Sequence, residues 1–169
     1  MRDQPPFRIE RLAGHSRQAF DCGDLTINTW FRGMASQQVN RDLAVVRGLI
    51  DQATSTVAGF YSLCNFTVNA TDLPDFGGKK LPALMPIPMH LIGHLGIHKP
   101  YQHRGMGRML VNDALKRAES LSRESGSLGV VVHALDASLV PWYRQLGFLQ
   151  FPEHPLQLVM TMAAIRLLP

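Results

Sequence analysis

Apolar and polar positions alternate along Phe7-Arg8-Ile9-Glu10-Arg11-Leu12, the two-residue period of a half-buried strand. The period then changes. Ile27, Trp30, Phe31 and Met34 fall at i, i+3, i+4 and i+7, which predicts an amphipathic helix, and Asp24 stands where its N-cap belongs. Leu43 to Ile50 and Thr56 to Val68 are both rich in strand-forming residues. The polar Asp51-Gln52-Ala53-Thr54 between them predicts a hairpin. Residues 69–88 hold Pro74, Pro82, Pro86 and Pro88 with Gly77-Gly78-Lys79-Lys80. A loop of that length is expected to be functional or mobile.

His90 to His98 predicts the next strand, with Leu91, Leu95 and Ile97 on one face. Leu110, Ala114, Leu115, Ala118 and Leu121 follow helical spacing, and Gly126 is the expected stop. Leu128 to Leu135 is a continuous apolar run, as in a strand covered on both faces. A short helix through Tyr143 to Leu146, capped by Gly147, and a last strand within Leu156 to Met162 complete the pattern. Pro141 inside a helix begun at Asp136 would cost ~3 kcal/mol. Ser138 as N-cap puts it in the first turn, where it is tolerated. The mixed order, with one β-turn-helix-β unit at 90–135, predicts a single α/β domain over residues 1–169: a central mixed sheet flanked by helices in three layers.

The turn in that unit carries chemistry. Gln102-His103-Arg104-Gly105-Met106-Gly107 lies between the strand and the helix that begins near Arg108. Glycines there permit unusual dihedrals and close approach, and the helix N-terminus adds free N–H groups and the positive end of its dipole. A pyrophosphate fits such a cradle. The spacing is neither the longer phosphate loop ending in Gly-Lys-Ser/Thr nor the three-glycine dinucleotide fingerprint.

Charge adds a second hint. The net formal charge is +4 and the isoelectric point is near 9.4. No acidic residue falls between Asp75 and Asp113, whereas Lys79, Lys80, Lys99, Arg104 and Arg108 do. With Arg32, Arg41 and Arg47 this leaves positive charge for a polyanionic partner beyond a nucleotide. No apolar run approaches the ~20 residues of a membrane span. The first residues contain no hydrophobic core of a signal peptide. Cys22 and Cys64 offer neither a disulfide framework nor metal spacing. A reduced, cytoplasmic protein without a membrane partner is expected.

The Gln102–Arg108 turn resembles the Gln/Arg-x-x-Gly-x-Gly/Ala signature of the GNAT acetyltransferases. Trp142-Tyr143-Arg144-Gln145-Leu146-Gly147-Phe148 is similar to that family's Tyr-x-x-x-Gly-Phe segment. Phe20-Asp21-Cys22-Gly23, followed by Leu25, Asn28 and Phe31, resembles the entry of one subgroup, the acetyltransferase toxins of bacterial toxin–antitoxin pairs. His90 to Lys99 and His133-Ala134-Leu135-Asp136 also resemble that subgroup. The likeness runs from about Phe20 to Phe148.

What the resemblance implies is specific. The fold would be that of GNAT enzymes and the activity an acetyl-CoA-dependent N-acetyltransferase. The acceptor would be the α-amino group of aminoacyl-tRNA, and its acetylation would block translation. Tyr143 would be the general acid toward the coenzyme A thiolate. Backbone groups of Leu95, Gly96 and Ile97 would pair with the pantetheine arm, and one of their amides could hold the thioester oxyanion. The N–H groups from His103 through Arg104, Gly105, Met106 and Gly107 to Arg108 would cradle the pyrophosphate, with Gln102 opening the turn and Asp136 near the coenzyme arm. Lys79, Lys80, Arg32, Arg41 and His94 are candidates for tRNA contact. A ribbon-helix-helix antitoxin and a homodimer are expected partners.

The chain departs from the subgroup at His94, where relatives have Arg, and at His98, where they have an acidic residue. His90, His94 and His98 on one strand face would stand about 13 Å apart, too far to share a metal, and no metal is expected. Two other readings stand beside the toxin: a housekeeping GNAT enzyme acetylating a small amine or protein amine, and an inactive coenzyme A-binding interaction module.

Overall fold

The computed structural model describes residues 6–78 and 80–169. Strands β1 (Phe7–Arg11), β2 (Val45–Asp51), β3 (Thr56–Asn69), β4 (Pro86–Ile97), β5 (Gly129–His133), β6 (Leu149–Gln150) and β7 (Gln157–Thr161) form a mixed seven-stranded sheet in the order β1-β2-β3-β4-β5-β7-β6. Its helices are α1 (Leu25–Thr29), α2 (Ala35–Asn40), α3 (Met106–Ser122), α4 (Val140–Leu146) and α5 (Met162–Ile165). β4 pairs with β5 in parallel, whereas β1–β2, β2–β3, β5–β7 and β6–β7 are antiparallel. The chain divides into two compact units, Met1–Cys64 with Gly93–Ala114, and Asn65–Ile92 with Leu115–Pro169.

In the first unit the expected hairpin forms, with Asp51 opposite Thr56. Leu49 pairs with Gly59 and Ile50 with Val57, so Ala58 is the extra residue of a bulge. Asp24 caps α1 by accepting from the Ile27 N–H at 2.9 Å. The helix does not continue regularly. Trp30–Met34 is π-helical, with the Ala35 N–H reaching back to the Trp30 carbonyl. The wider turn shifts the phase of the apolar stripe, so Ala35 is fully buried and Met34, assigned to the core by α-helical spacing, is 49% exposed. Trp30, Phe31 and Ala35 pack with Phe20, Val46, Ile50, Val57 and Phe60.

In the second unit Val131, Val159 and Phe151 form a core with Val68, Ile87 and Met89. The long loop after β3 is more structured than its prolines suggest. Leu73, Phe76 and Leu81 pack against this core, and the last residues of the expected loop open β4 at Pro86. Pro86 and Pro88 lie on its exposed side, alternating with buried Ile87 and Met89. β5 is covered on both faces, as its continuous apolar run predicts: Val130, Val131 and Val132 are at most 1% exposed.

α3 buries Leu110, Val111, Ala114, Leu115 and Ala118, but ends at Ser122 rather than near Gly126, leaving Leu121 49% exposed. Gly147 caps α4 at φ 109°, as expected. The start of α4 differs. Ser138 is not its cap: α4 has Leu139 at the N-cap, and Asp136 instead caps the 3₁₀ turn Ala137–Leu139, its carboxylate accepting from the Ser138 N–H at 2.8 Å. That turn absorbs the residues before Val140, so Pro141 still falls in the first α-helical turn, where its missing N–H costs nothing.

Gly129 is where β5 meets β7 without room for a side chain. A Cβ there would lie 2.4 Å from the carbonyl oxygen of Met160. Gly129→Ala is expected to destabilise by about 1–3 kcal/mol and lower Tm by roughly 3–10 °C in a thermal melt. An unchanged Tm would mean that the β5–β7 backbone yields freely.

Candidate active site

The Phe20–Phe31 entry and the glycine turn belong to one hydrogen-bonded assembly within the first unit. Asp21 accepts from the Gly23 N–H at 2.8 Å and from Asn28 Nδ2 at 2.9 Å, while the Asn28 side-chain oxygen accepts from the Cys22 N–H at 2.9 Å. Lys99 Nζ lies 3.1 Å from the same Asp21 carboxylate. The Gly23 N–H, then Asn28 and Lys99, hold the Asp21 carboxyl down at about 2. Gln102 ties this loop to the end of β4: its side-chain nitrogen donates to the Cys22 carbonyl at 2.7 Å and to the Ile97 carbonyl at 2.9 Å. Sequence alone gave the Phe20–Phe31 segment no task. Here it anchors the start of the turn.

Beyond Gln102 the backbone enters unusual territory. His103 has φ 60° and Gly105 φ 79°, and α3 begins at Met106. Within α3 the Met109 N–H bonds to the Gly105 carbonyl at 3.2 Å, so the N–H groups of Met106, Gly107 and Arg108 precede the first bond of the helix and are free of it. His103, Arg104, Gly105 and Arg108 are exposed, and open space surrounds the position of a Gly105 Cβ. Free N–H groups at the head of a 17-residue helix, with two exposed arginines beside them, fit a pyrophosphate. Arg104 rests with its guanidinium carbon 5.8 Å from the centre of the Tyr101 ring, and the Tyr101 hydroxyl donates to Asp51 at 2.7 Å. Lys99 contributes less to the positive field than its sequence position suggests, because Asp21 pairs with it.

Leu95, Gly96 and Ile97 form the end of β4 in this unit, and of the three only Gly96 is buried. A Gly96 Cβ would meet Ile27 at 3.1 Å and Phe60 at 3.3 Å, so this glycine serves packing on its side-chain face. His94 stacks on Trp30 with centroids 3.7 Å apart and rings within 8° of parallel. Its amide donates to Ser62 Oγ at 2.9 Å, and burial pushes its pKa down, which keeps the ring neutral at pH 7. His94 is thus a packed neutral ring rather than a cationic replacement for arginine.

The three histidines do not share one strand face. β4 ends at Ile97, and His98 turns away to stack on Phe20 and bond the backbone of Asp21 at 3.1 Å. His90, in the second unit, lies 3.0 Å from Ser127 Oγ. Among the described residues no group of three His, Cys, Asp or Glu side chains is placed to hold a metal.

Tyr143 belongs to the second unit. α4 carries it, Trp142 and Phe148 pack edge-on against it at 4.8 and 5.7 Å, and it is 6% exposed. Burial pushes its pKa up to about 12. The phenol therefore keeps its proton throughout the neutral range. Asp136, seven residues earlier, is occupied as the turn cap, and Ser138 lowers its pKa. Of the cationic candidates, Lys80 and Arg41 are exposed. Arg32 donates to the Phe20 carbonyl. Lys79 lies outside the described residues. Two features had no sequence signal: buried Arg17, and the indole nitrogen of Trp30, which is buried without a hydrogen-bond partner among the described residues.

Residues 88–157 match the model of the acetyltransferase (GNAT) domain, and the chain is an N-acetyltransferase. Its curated relatives narrow the class. A probable toxin TacT of Sinorhizobium fredii is 27% identical over 159 residues, covering 90% of this chain and 88% of that protein. A tRNA-acetylating toxin of Mycobacterium tuberculosis is 27% identical over 150 residues, 89% of this chain and 88% of that one. Among solved structures, AtaT complexed with acetyl-methionyl-tRNAfMet has a TM-score of 0.87 at 28% identity, covering 95% of this chain and 98% of that one. AtaTR bound with acetyl-CoA has a TM-score of 0.84 at 28% identity, covering 96% and 97%. AtaT is also solved as a tyrosine-to-phenylalanine variant bound to the C-terminus of its antitoxin AtaR.

Proposed function

We propose that the chain, as a single catalytic domain, acetylates the α-amino group of aminoacyl-tRNA and so acts as the translation-blocking toxin of a toxin–antitoxin pair. The observation that carries this reading is its likeness, over almost its whole length, to toxins named or solved as acting on tRNA. Acetyl-CoA is the donor, and it supplies an acetyl group activated as a thioester. The chain's own residues do the rest. N–H groups from His103 to Arg108 hold the pyrophosphate, Gln102 fixes the turn, and the backbone of Leu95, Gly96 and Ile97 pairs with the pantetheine arm and offers an amide to the oxyanion. Asp136 orders the loop before α4 and thereby supports the coenzyme arm. His94, Arg32, Arg41, Lys79 and Lys80 serve the acceptor.

In the transfer the amine nitrogen bonds to the acetyl carbon, the carbon–sulfur bond breaks, and the sulfur takes its proton from the Tyr143 hydroxyl. The amine proton goes to solvent, and solvent returns a proton to Tyr143. An α-amine has a pKa near ~8, so a useful fraction is neutral at pH 7 and no strong base is required. A small ribbon-helix-helix antitoxin, a homodimeric assembly and a cytoplasmic location complete the proposal. The antitoxin-bound relative supports an antitoxin partner, and among the described residues no helix is long and apolar enough to cross a membrane.

The deciding assay supplies labelled acetyl-CoA with either charged tRNA or a polyamine. Label is expected on the α-amine of the aminoacyl end; acetylation of polyamines with charged tRNA untouched would sink the toxin reading. Within that assay, Lys80→Glu is expected to weaken tRNA use several-fold at low salt while leaving acetyl-CoA affinity alone, because Lys80 is an exposed charge. Equal loss of both would show misfolding instead.

A further inference from the structure

Arg17 and Arg32 bind two adjoining segments through crossed hydrogen bonds. Arg17 Nη1 donates to the Phe31 carbonyl at 3.5 Å, and Arg32 Nη2 donates to the Phe20 carbonyl. The two phenyl rings touch, with centroids 4.7 Å apart, and the Arg17 guanidinium lies 5.2 Å from the centre of the Phe31 ring. The Phe20 N–H closes the turn back to the Arg17 carbonyl at 3.2 Å. Both cations are thus drawn to one Phe20–Phe31 pair.

Among the described residues neither guanidinium has a carboxylate partner. The carboxylates of the same stretch are engaged elsewhere: Asp21 with Gly23, Asn28 and Lys99, and Asp24 with the Ile27 N–H. Arg17 is only 9% exposed, and desolvation lowers its pKa. A cation covered in this way, with one long bond to a neutral carbonyl, is an expensive arrangement. Anchoring a carbonyl explains one N–H of the five on each guanidinium. Covering Phe31 needs no charge at all, and an uncharged side chain would avoid placing two cations on neighbouring segments.

We infer that Arg17 and Arg32 form a phosphate clamp for the RNA backbone of the substrate, which rests on the aminoacyl-tRNA acceptor proposed above. The planar fork of arginine matches two oxygens of a phosphate. Each fork is held by its carbonyl bond before the ligand arrives, so less side-chain freedom is lost on binding. Coenzyme A also carries phosphates, but the turn at residues 103–108 provides for its pyrophosphate separately, with Arg104 and Arg108 exposed there.

The test is the affinity for aminoacyl-tRNA, by fluorescence anisotropy, across a salt series in the wild-type protein, Arg17→Gln and Arg32→Gln. Loss of one phosphate contact flattens the slope of log K against log salt by about one, which is about tenfold weaker binding at 0.1 M salt, converging with wild type near 1 M. Both variants are expected to show this, with acetyl-CoA affinity unchanged. Arg32 is exposed, so Arg32→Gln decides the matter if Arg17→Gln does not fold. A wild-type slope in Arg32→Gln overturns the clamp. Loss of acetyl-CoA affinity in place of tRNA affinity assigns the arginines to the coenzyme and also overturns it. A wild-type protein that binds no charged tRNA would bring down the acceptor reading and the clamp together, whereas tRNA acetylation with unaltered slopes brings down the clamp alone.

Discussion

Tyr143→Phe is expected to slow acetyl transfer by about 10²–10⁴-fold, the range typical for a lost general acid, while the affinity for acetyl-CoA stays within about twofold of wild type. The ring would keep its packing against Trp142 and Phe148, because the substitution removes only the hydroxyl. With its pKa pushed up to about 12, the Tyr143 phenol is a weak acid toward an ordinary thiolate, whose conjugate thiol titrates near ~8.5. The difference shrinks in the reacting state, since the burial that disfavours a phenolate disfavours a thiolate beside it as well. The direction of the shift also fixes the pH profile. A donor titrating near 12 stays protonated through pH 10, so kcat should rise as the acceptor amine deprotonates near ~8 and show no alkaline fall from Tyr143 below about pH 10. Rapid-quench turnover with charged tRNA reads the first effect. Unchanged turnover in the phenylalanine variant would remove the acid role, and a parallel loss of acetyl-CoA affinity would make the residue structural.

The parts of the fold that could be read in sequence were those in which one local signal dominated. The alternation of Phe7–Leu12, the polar break at Asp51–Thr54 and the unbroken valine run of β5 each depend on neighbours within one element. Where two elements shared a residue, local spacing failed. Met34 fits an α-helical stripe, but the π-helical turn at Trp30–Met34 rotates it outward and brings Ala35 in. Leu73, Phe76 and Leu81 looked like loop residues because prolines and glycines surround them, and their burial comes from β strands distant in sequence. The site follows the same rule. The glycine turn was legible because its signal is local and conformational. The role of Gln102 was not, since its two acceptors are the carbonyls of Cys22 and Ile97, one of them 80 positions away. His94 was not legible in this sense either: it stands where the family has arginine, and only its stacking on Trp30 and its burial, which lowers its pKa, set the charge of the ring.

The two glycines of the turn should separate under mutation, because they differ in what the missing side chain permits. Gly105 has φ 79° with open space around a Cβ, so its requirement is dihedral. An alanine there bears the left-handed penalty of about 1–2 kcal/mol, and relaxing that strain would turn the N–H groups of the cradle away from a bound pyrophosphate. Gly105→Ala is therefore expected both to lower Tm and to weaken acetyl-CoA about tenfold or more, one hydrogen bond to a charged group being worth about 1.5–3 kcal/mol. Gly107 is the second residue of α3 and has no left-handed dihedral. Alanine in a helix interior is favoured over glycine by about 0.8–1 kcal/mol, an upper limit this close to the N-terminus, so Gly107→Ala should raise Tm slightly. It should nevertheless weaken acetyl-CoA, because its Cβ would stand beside the free N–H groups at the start of α3. Opposite signs in stability with the same sign in affinity is a pattern that a misfolded turn does not produce. Calorimetric titration of acetyl-CoA into both variants, read beside their thermal melts, checks it: if Gly107→Ala binds as tightly as wild type, the phosphate does not approach the helix at that residue, and the cradle must be confined to His103–Met106.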